Sequence, residues 1–267
     1  MTATWPRAAC VLCITVTALW PGVAAAGCTK SPSGATTICR SDVGEHRVID
    51  GSVSPDGRHA FAWTFASRVP ADKRSVETWG DERQWAAEGP GVVENAIVRL
   101  ADGAILRKTR GAHFGDDRLY NHTQHSILWS PRGNHVLELH QRKWDTPVAD
   151  AWRIDSDGRL VGPFRVGEIA RKAAEAEMQR KAKRPRQLKI KDYVFQVREV
   201  SDPDRPTPPP RAPAIDDAGN LEIEVVAEVP RAESREAFGF LVNLVLSQGD
   251  GRALSASVTS IKLTQHD

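Results

Sequence analysis

The chain lacks every short signature that would assign a reaction at sight. There is no Gly-x-Ser-x-Gly elbow, no phosphate loop, no dinucleotide fingerprint and no His-Glu-x-x-His zinc pair. It lacks a surplus of charge: the net charge is +2, so no global field draws it to nucleic acid or a membrane surface. It lacks a long apolar run after the first 26 residues, so no later segment is expected to span a bilayer. Cysteine is scarce, with four in 267 residues, too few for a disulfide scaffold.

The first segment is expected to leave the protein. Arg7 is the one charge before Lys30, an apolar stretch runs from Ala8 to Trp20, and Ala24-Ala25-Ala26 supplies the small residues read at a cleavage site. Residues 1–26 therefore read as a signal peptide, and the protein as periplasmic or secreted. Cys10 and Cys13 leave with it. Cys28 and Cys39 remain, flanking a short polar loop, and are expected to form a disulfide in an oxidising compartment. The alternative is a lipid anchor on Cys28, since Ala25-Ala26-Gly27-Cys28 is a weak lipobox.

The rest of the chain reads as mainly β, built from repeated antiparallel hairpins. Between Arg47 and Phe65 apolar side chains alternate on both sides of Pro55-Asp56-Gly57. Ala60, Ala62 and Thr64 fall on one face, and Phe61, Trp63 and Phe65 on the other. The glycine of such a turn supplies the positive φ a tight hairpin needs. Further hairpins are expected at Asp102-Gly103, Arg132-Gly133, Asp157-Gly158, Ala218-Gly219-Asn220 and Asp250-Gly251. Six hairpins group into three units of about four strands each. The leading turns, at Gly57, Gly133 and Gly219, are 76 and 86 residues apart.

SVSPDGRHAFAW (52–63) and ILWSPRGNHVLEL (127–139) resemble the Ser-Pro-Asp-Gly repeat of TolB-type, WD40-like β-propellers. The resemblance covers these two stretches, and the second has Arg132 in place of the aspartate. It implies blade-like sheets that serve as a binding platform. Three four-stranded units are fewer than a closed ring needs. The expectation is therefore a further degenerate blade, an oligomer, or open twisted sheets.

One surface helix is expected near 168–183, with Glu168, Glu175 and Glu177 early, Arg180, Lys181 and Lys183 late, and a thin apolar stripe of Ile169, Ala173 and Ala176. Glu168–Lys172 and Glu177–Lys181 are its i,i+4 pairs. The six prolines of 201–213 mark a linker or stiff loop. This divides the mature chain into a hairpin-repeat domain (27–200) and a C-terminal β unit (214–267) packed on it.

Five of the eight histidines fall between His113 and His140. The polar loop 113–125 is the first candidate site: Asp116, Asp117, Arg118, Tyr120, Asn121, His122 and His125 could converge on a ligand, with Trp144 beside them. Most of these histidines are otherwise expected to be turn and loop residues, and no metal or cofactor is implied. Trp63 and Trp129 alternate within strands and are expected in the core. The second candidate is a basic patch of Arg180, Lys181, Lys183, Arg184, Arg186, Lys189 and Lys191, suited outside the cytoplasm to an anionic polymer or acidic protein rather than nucleic acid. Asp155-Ser156-Asp157-Gly158 starts like a calcium loop but lacks the distal ligands. The function expected is a non-catalytic envelope protein that binds a protein or anionic polymer. The alternative is a periplasmic hydrolase, with or without a metal, using loop 113–125.

Overall fold

The computed structural model describes residues 27–30, 36–65, 93–110, 124–141, 146–181, 189–198, 213–229, 237–248 and 254–266. The segment expected to be a signal peptide lies outside them. The described strands form three antiparallel sheets. Sheet A runs in chain order through β1 (Gly27–Lys30), β2 (Thr37–Ser41), β3 (Gly44–Val48), β4 (His59–Phe65), β5 (Val93–Arg99) and β6 (Ile105–Lys108). Sheet B comprises β7 (Gln124–Trp129), β8 (His135–Gln141), β9 (Val148–Ile154) and β10 (Leu160–Phe164). Sheet C has the order β11 (Val194–Arg198), β13 (Asn220–Glu228), β14 (Ala237–Gln248) and β15 (Leu254–His266), with β12 (Ala214–Ile215) also paired to β13. The sheets are open. Units of about four strands were expected; the sheets hold six, four and five. Sheet A grows because the β1–β2 hairpin joins it. Sheet C joins β11, which precedes the proline-rich stretch, to strands that follow it.

The tight turns fold through their first residue. Ser54 N donates to His59 O at 2.8 Å, and Ser54 Oγ accepts from His59 N at 3.0 Å. Ser130 and His135 repeat both bonds, at 2.9 and 3.1 Å. Asp155 does the same for Arg159, and Asp216 for Asn220, their carboxylates accepting the closing N–H at 2.8 Å in each case. A short oxygen side chain thus replaces a ladder acceptor where the strand pair must open into a turn. Three of these turns stack on successive sheets. Trp129 Nε1 donates to Ser52 O at 2.9 Å, Arg132 N to Asp217 Oδ1 at 2.8 Å, and Asn134 Nδ2 to Asp217 O at 3.0 Å.

Sheet B is buried on both faces, and the alternation of β8 decides what each face touches. Leu137 and Leu139, with Ala149 and Ala151 of β9, join Leu221, Ile223, Val225, Phe240, Val242 and Leu244 of sheet C. Val136 and Trp152 point the other way and pack with Phe61 and Ile97 of sheet A, with Ile127 and Trp129 at the margin. Trp63 is buried, with the Arg47 guanidinium 5.0 Å over its ring. Both faces of β4 are filled: Phe61 faces sheet B, while Ala60 and Ala62 pack with Cys39, Val48 and Val98. Cys28 sits directly opposite Cys39 in the β1–β2 pair, and the two are joined as a disulfide.

The helix α1 (Val166–Lys181) packs against β9 and across β11, β13, β14 and β15 of sheet C, with one side in the core. Its buried stripe is Val166, Ala170, Ala174 and Met178, not the expected Ile169, Ala173 and Ala176; Ile169 and Ala173 flank it and Ala176 is exposed. The stripe shifts because Gly167 lets the first turn approach β9: a Cβ there would stand 2.6 Å from Ala149 Cβ. Glu177 pairs with Lys181 at 2.7 Å and with Arg180. The expected Glu168–Lys172 pair gives way to contacts from Arg110 and Arg165 to Glu168, each at 3.6 Å.

Two predictions follow from buried groups and tight approaches. His46 is lowered by burial to about 4 from an ordinary 6.5, and His59 and His135 are lowered for the same first reason. Below pH 6.5 the unfolded chain takes up protons the folded chain refuses. Stability is therefore full above about pH 6.5 and falls as pH drops towards 4, with His46 alone contributing on the order of 3 kcal/mol. Thermal unfolding between pH 7.5 and 4.5 should show the decline, shallower for His46→Gln; a flat profile contradicts it. Second, Gly103 has φ +69° and a Cβ there would collide with the Arg40 carbonyl, whereas Gly158 has φ +74° and open space around it. Gly158→Ala should cost about 1–2 kcal/mol and Gly103→Ala clearly more; equal losses in urea unfolding would show that the Gly103 turn does not press on β2.

Candidate binding site at the loop end of sheets A and B

The two ends of the A–B pair differ in construction. The tight turns at 54–57, 100–103, 130–133 and 155–158 close one end. At the other, the connections 66–92, 111–123 and 142–145 leave from strand ends that are paired with each other: Phe65 with Val93, Gln124 with Gln141, His140 with Val148. Loops on a rigid sheet pair carry function more often than strands do.

Beneath these exits lies a polar network that crosses from sheet A to sheet B. Thr109 and Arg110 directly follow β6, and Thr109 N donates to Asn95 O at 2.8 Å, which holds this stretch on β5. Thr109 Oγ1 donates to Glu138 Oε1 at 2.7 Å. His125 Nε2 meets the same oxygen at 3.0 Å. Glu138 Oε2 is buried without a hydrogen-bond partner among the described residues. Next to Glu138 across the β8–β9 pair stands Asp150. Arg110 grips Asp150 through two parallel bonds, Nε to Oδ2 at 2.8 Å and Nη2 to Oδ1 at 2.7 Å. Its Nη1 reaches Glu168 at the start of α1.

Burial sets the electrostatics. The Asp150 and Glu138 side chains are fully buried, while that of Arg110 is 38% exposed. Desolvation pushes the Asp150 carboxyl up from its ordinary range, and the Arg110 fork opposes this. In turn the Asp150 carboxylate holds the Arg110 guanidinium above its usual value. His125 lies edge-on to Phe61 at 5.8 Å and to His140 at 6.3 Å between ring centres. Arg110, its guanidinium engaged by Asp150 and Glu168, and the half-exposed Arg165 stand at the place where these connections leave.

Of the residues expected at this site, His125 is in β7 and belongs to the network. Asp116, Asp117, Arg118, Tyr120, Asn121, His122 and Trp144 lie outside the described residues, in the connections 111–123 and 142–145. His140 is a buried strand residue rather than the turn or loop residue expected, and His135, also buried, opens β8 directly after the 130–133 turn that it closes. In the basic patch, Arg180 and Lys181 are engaged with Glu177, and Lys189 and Lys191 are exposed around a 3-10 turn (Ile190–Asp192). Lys183, Arg184 and Arg186 lie outside the described residues. No group of three or more His, Cys, Asp or Glu suited to a metal ion occurs among the described residues.

Thr109, Arg110, Glu138 and Asp150 are not among the residues expected at a site, and Glu168 is expected only as a helix residue. The available signal was a lone carboxylate inside an apolar alternation, in His135-Val-Leu-Glu-Leu-His140 and again in Val148-Ala-Asp-Ala-Trp152. A strand buried on both faces admits such a charge only with a partner. A separate hydroxyl–imidazole pair, Ser41 Oγ to His46 Nε2 at 2.9 Å, has Thr64 Oγ1 rather than a carboxylate behind the ring, at 3.1 Å from Nδ1. An imidazole lowered to about 4 is a weak base, and the pair serves to hold the β2–β3 turn on β4.

Removing the Arg110 head leaves Asp150 buried and unpaired, a change that costs about 3 kcal/mol or more. Arg110→Ala should lose about that much in chemical denaturation, and Arg110→Lys less; a loss under about 0.5 kcal/mol, the scale of a surface substitution, would show the pair to be dispensable. Comparison of the chain with family models, with curated proteins and with solved structures finds no match.

Proposed function

We propose that the chain is an exported, non-catalytic envelope protein that binds a protein or an anionic polymer through the loop end of sheets A and B. The observation that carries this reading is the cross-sheet network of Arg110–Asp150 and Thr109–Glu138–His125. It ties together the strand ends from which three connections leave, with Arg110 and Arg165 partly exposed beside them. Connections rich in aromatic and polar residues on a rigid base are the common form of a binding surface. Export is supported by the apolar first segment and by the Cys28–Cys39 pair. No helix among the described residues is long and apolar enough to cross a membrane. The kinship with TolB-type repeats belongs to the same proposal and is supported by the stacking of the Ser54–Gly57 and Ser130–Gly133 turns on neighbouring sheets.

A second reading, a periplasmic hydrolase, draws on one observation: His125 is oriented by a carboxylate at 3.0 Å, as a general base would be. Its full burial favours the binding reading, because a base must reach its substrate's proton.

A photo-crosslinking side chain at Tyr120 or Trp144 should give a discrete adduct in intact cells, and one at Ser156, at the tight-turn end, should not. Equal labelling from both ends, or none from the loop end, contradicts the proposal. Intact-mass analysis of the exported protein should find a start at Gly27 with both remaining cysteines oxidised; a diacylglyceryl group on Cys28 would place the chain on a lipid anchor instead.

A further inference from the structure

The edges of the three sheets are unequal. The terminal strands β1, β6, β7, β10 and β11 are four to six residues long. Several carry a known guard: Arg107 and Lys108 in β6, Pro163 and a register shift in β10, the disulfide on β1. Strand β15 is different. It spans 13 residues at the end of sheet C, with no proline, no carboxylate and Lys262 as its one lysine. A long edge strand of that kind presents a row of backbone donors and acceptors to another strand.

The faces of β15 follow from its pairing with β14. Ala256, Val258, Ile261 and Leu263 lie opposite Leu246, Leu244, Val242 and Phe240, so they share the core face. Ser255, Ser257, Ser260, Lys262 and Thr264 share the other face. Thr259 is the extra residue at the register shift and bonds Asn243 O through its hydroxyl at 3.2 Å. Val258 is 36% exposed, and Ala256, Ile261 and Leu263 are partly exposed. Beside α1 and β10, which pack against β15, the apolar row reaches the outer edge of the sheet formed by the described residues.

We propose that β15 pairs antiparallel with β15 of a second copy about a two-fold axis at Ser260, joining two C sheets into one. The strand is complementary to itself in this register. With Thr259 outside the ladder, Ser260 faces its own counterpart. On the core face Ile261 lies against Val258 of the other copy, and Leu263 against Ala256. On the outer face Lys262 lies against Ser257, and Thr264 against Ser255. Each large apolar side chain meets a smaller one, and hydroxyls meet hydroxyls. The two lysines stand four rows apart, about 14 Å at strand rise, beyond the Debye length of about 8 Å. A symmetric contact must be self-complementary in this way. The pairing lies on sheet C and does not depend on the binding role given to the loop end.

Sedimentation equilibrium of the purified chain should give a dimer at micromolar concentration. Ser257 is exposed, and Ser257→Lys sets a lysine against Lys262 of the other copy, twice per dimer. This variant should weaken the dimer at least tenfold, and Ser257→Lys with Lys262→Glu should restore it. Ser260→Cys should form a dimer linked through residue 260 on mild oxidation. A monomer at all concentrations overturns the proposal and leaves the edge to a strand of another protein. A dimer indifferent to Ser257→Lys, or one that Ser260→Cys does not link, also overturns it by placing the interface elsewhere.

Discussion

The organisation of this protein depends on one constraint: strand β8 has no solvent face. Because side chains alternate at every step of a strand, Leu137 and Leu139 are committed to sheet C, and Val136 and Glu138 to sheet A. Sheet B is the middle layer of a three-sheet stack, and both neighbours are registered against it. The turns reinforce the stack at one end, through Trp129, Arg132 and Asn134. The buried ion pair and the Glu138 network reinforce it at the other. Charge is tolerated inside the stack where a partner arrives from the adjacent sheet, which is also what fixes the position of the loop roots.

Much of this organisation was legible in the sequence. The alternation on both sides of Gly57, Gly133 and Gly158 located three strand pairs, because a tight turn needs a residue that accepts positive φ and a strand needs period two. The strong formers between Glu168 and Lys181 located the helix. What stayed illegible was what each face touches. The alternation identifies two faces of β8 but not their neighbours, so Glu138 and Asp150 read as ordinary strand polar residues. Their partners, Thr109 and Arg110, lie 29 and 40 residues away in the chain. The six-stranded extent of sheet A was hidden likewise, since the β1–β2 hairpin carries little apolar alternation and joins the sheet through β3.

In the proposed function the site is a scaffolded platform. Its rigid part is the described network. On the proposed function, its recognition chemistry would come from Arg110 and Arg165 together with the tyrosine, tryptophan and aspartates of 66–92, 111–123 and 142–145. The histidines illustrate how position overrides type. His46, His59 and His135 are buried and neutral, acting as packing and turn residues. His125 instead shares a carboxylate with Thr109 across two sheets. The histidines lowered by burial and the histidine of the candidate site are therefore different members of one residue class.

Native-state hydrogen exchange tests the central claim, that sheet B is the sandwiched middle layer. Amides of 135–140 and 149–153 should exchange only through global unfolding and form the most protected unit of the chain. If these strands exchange as fast as β1 or β15, sheet B is not enclosed on both faces, and the three-layer account is wrong.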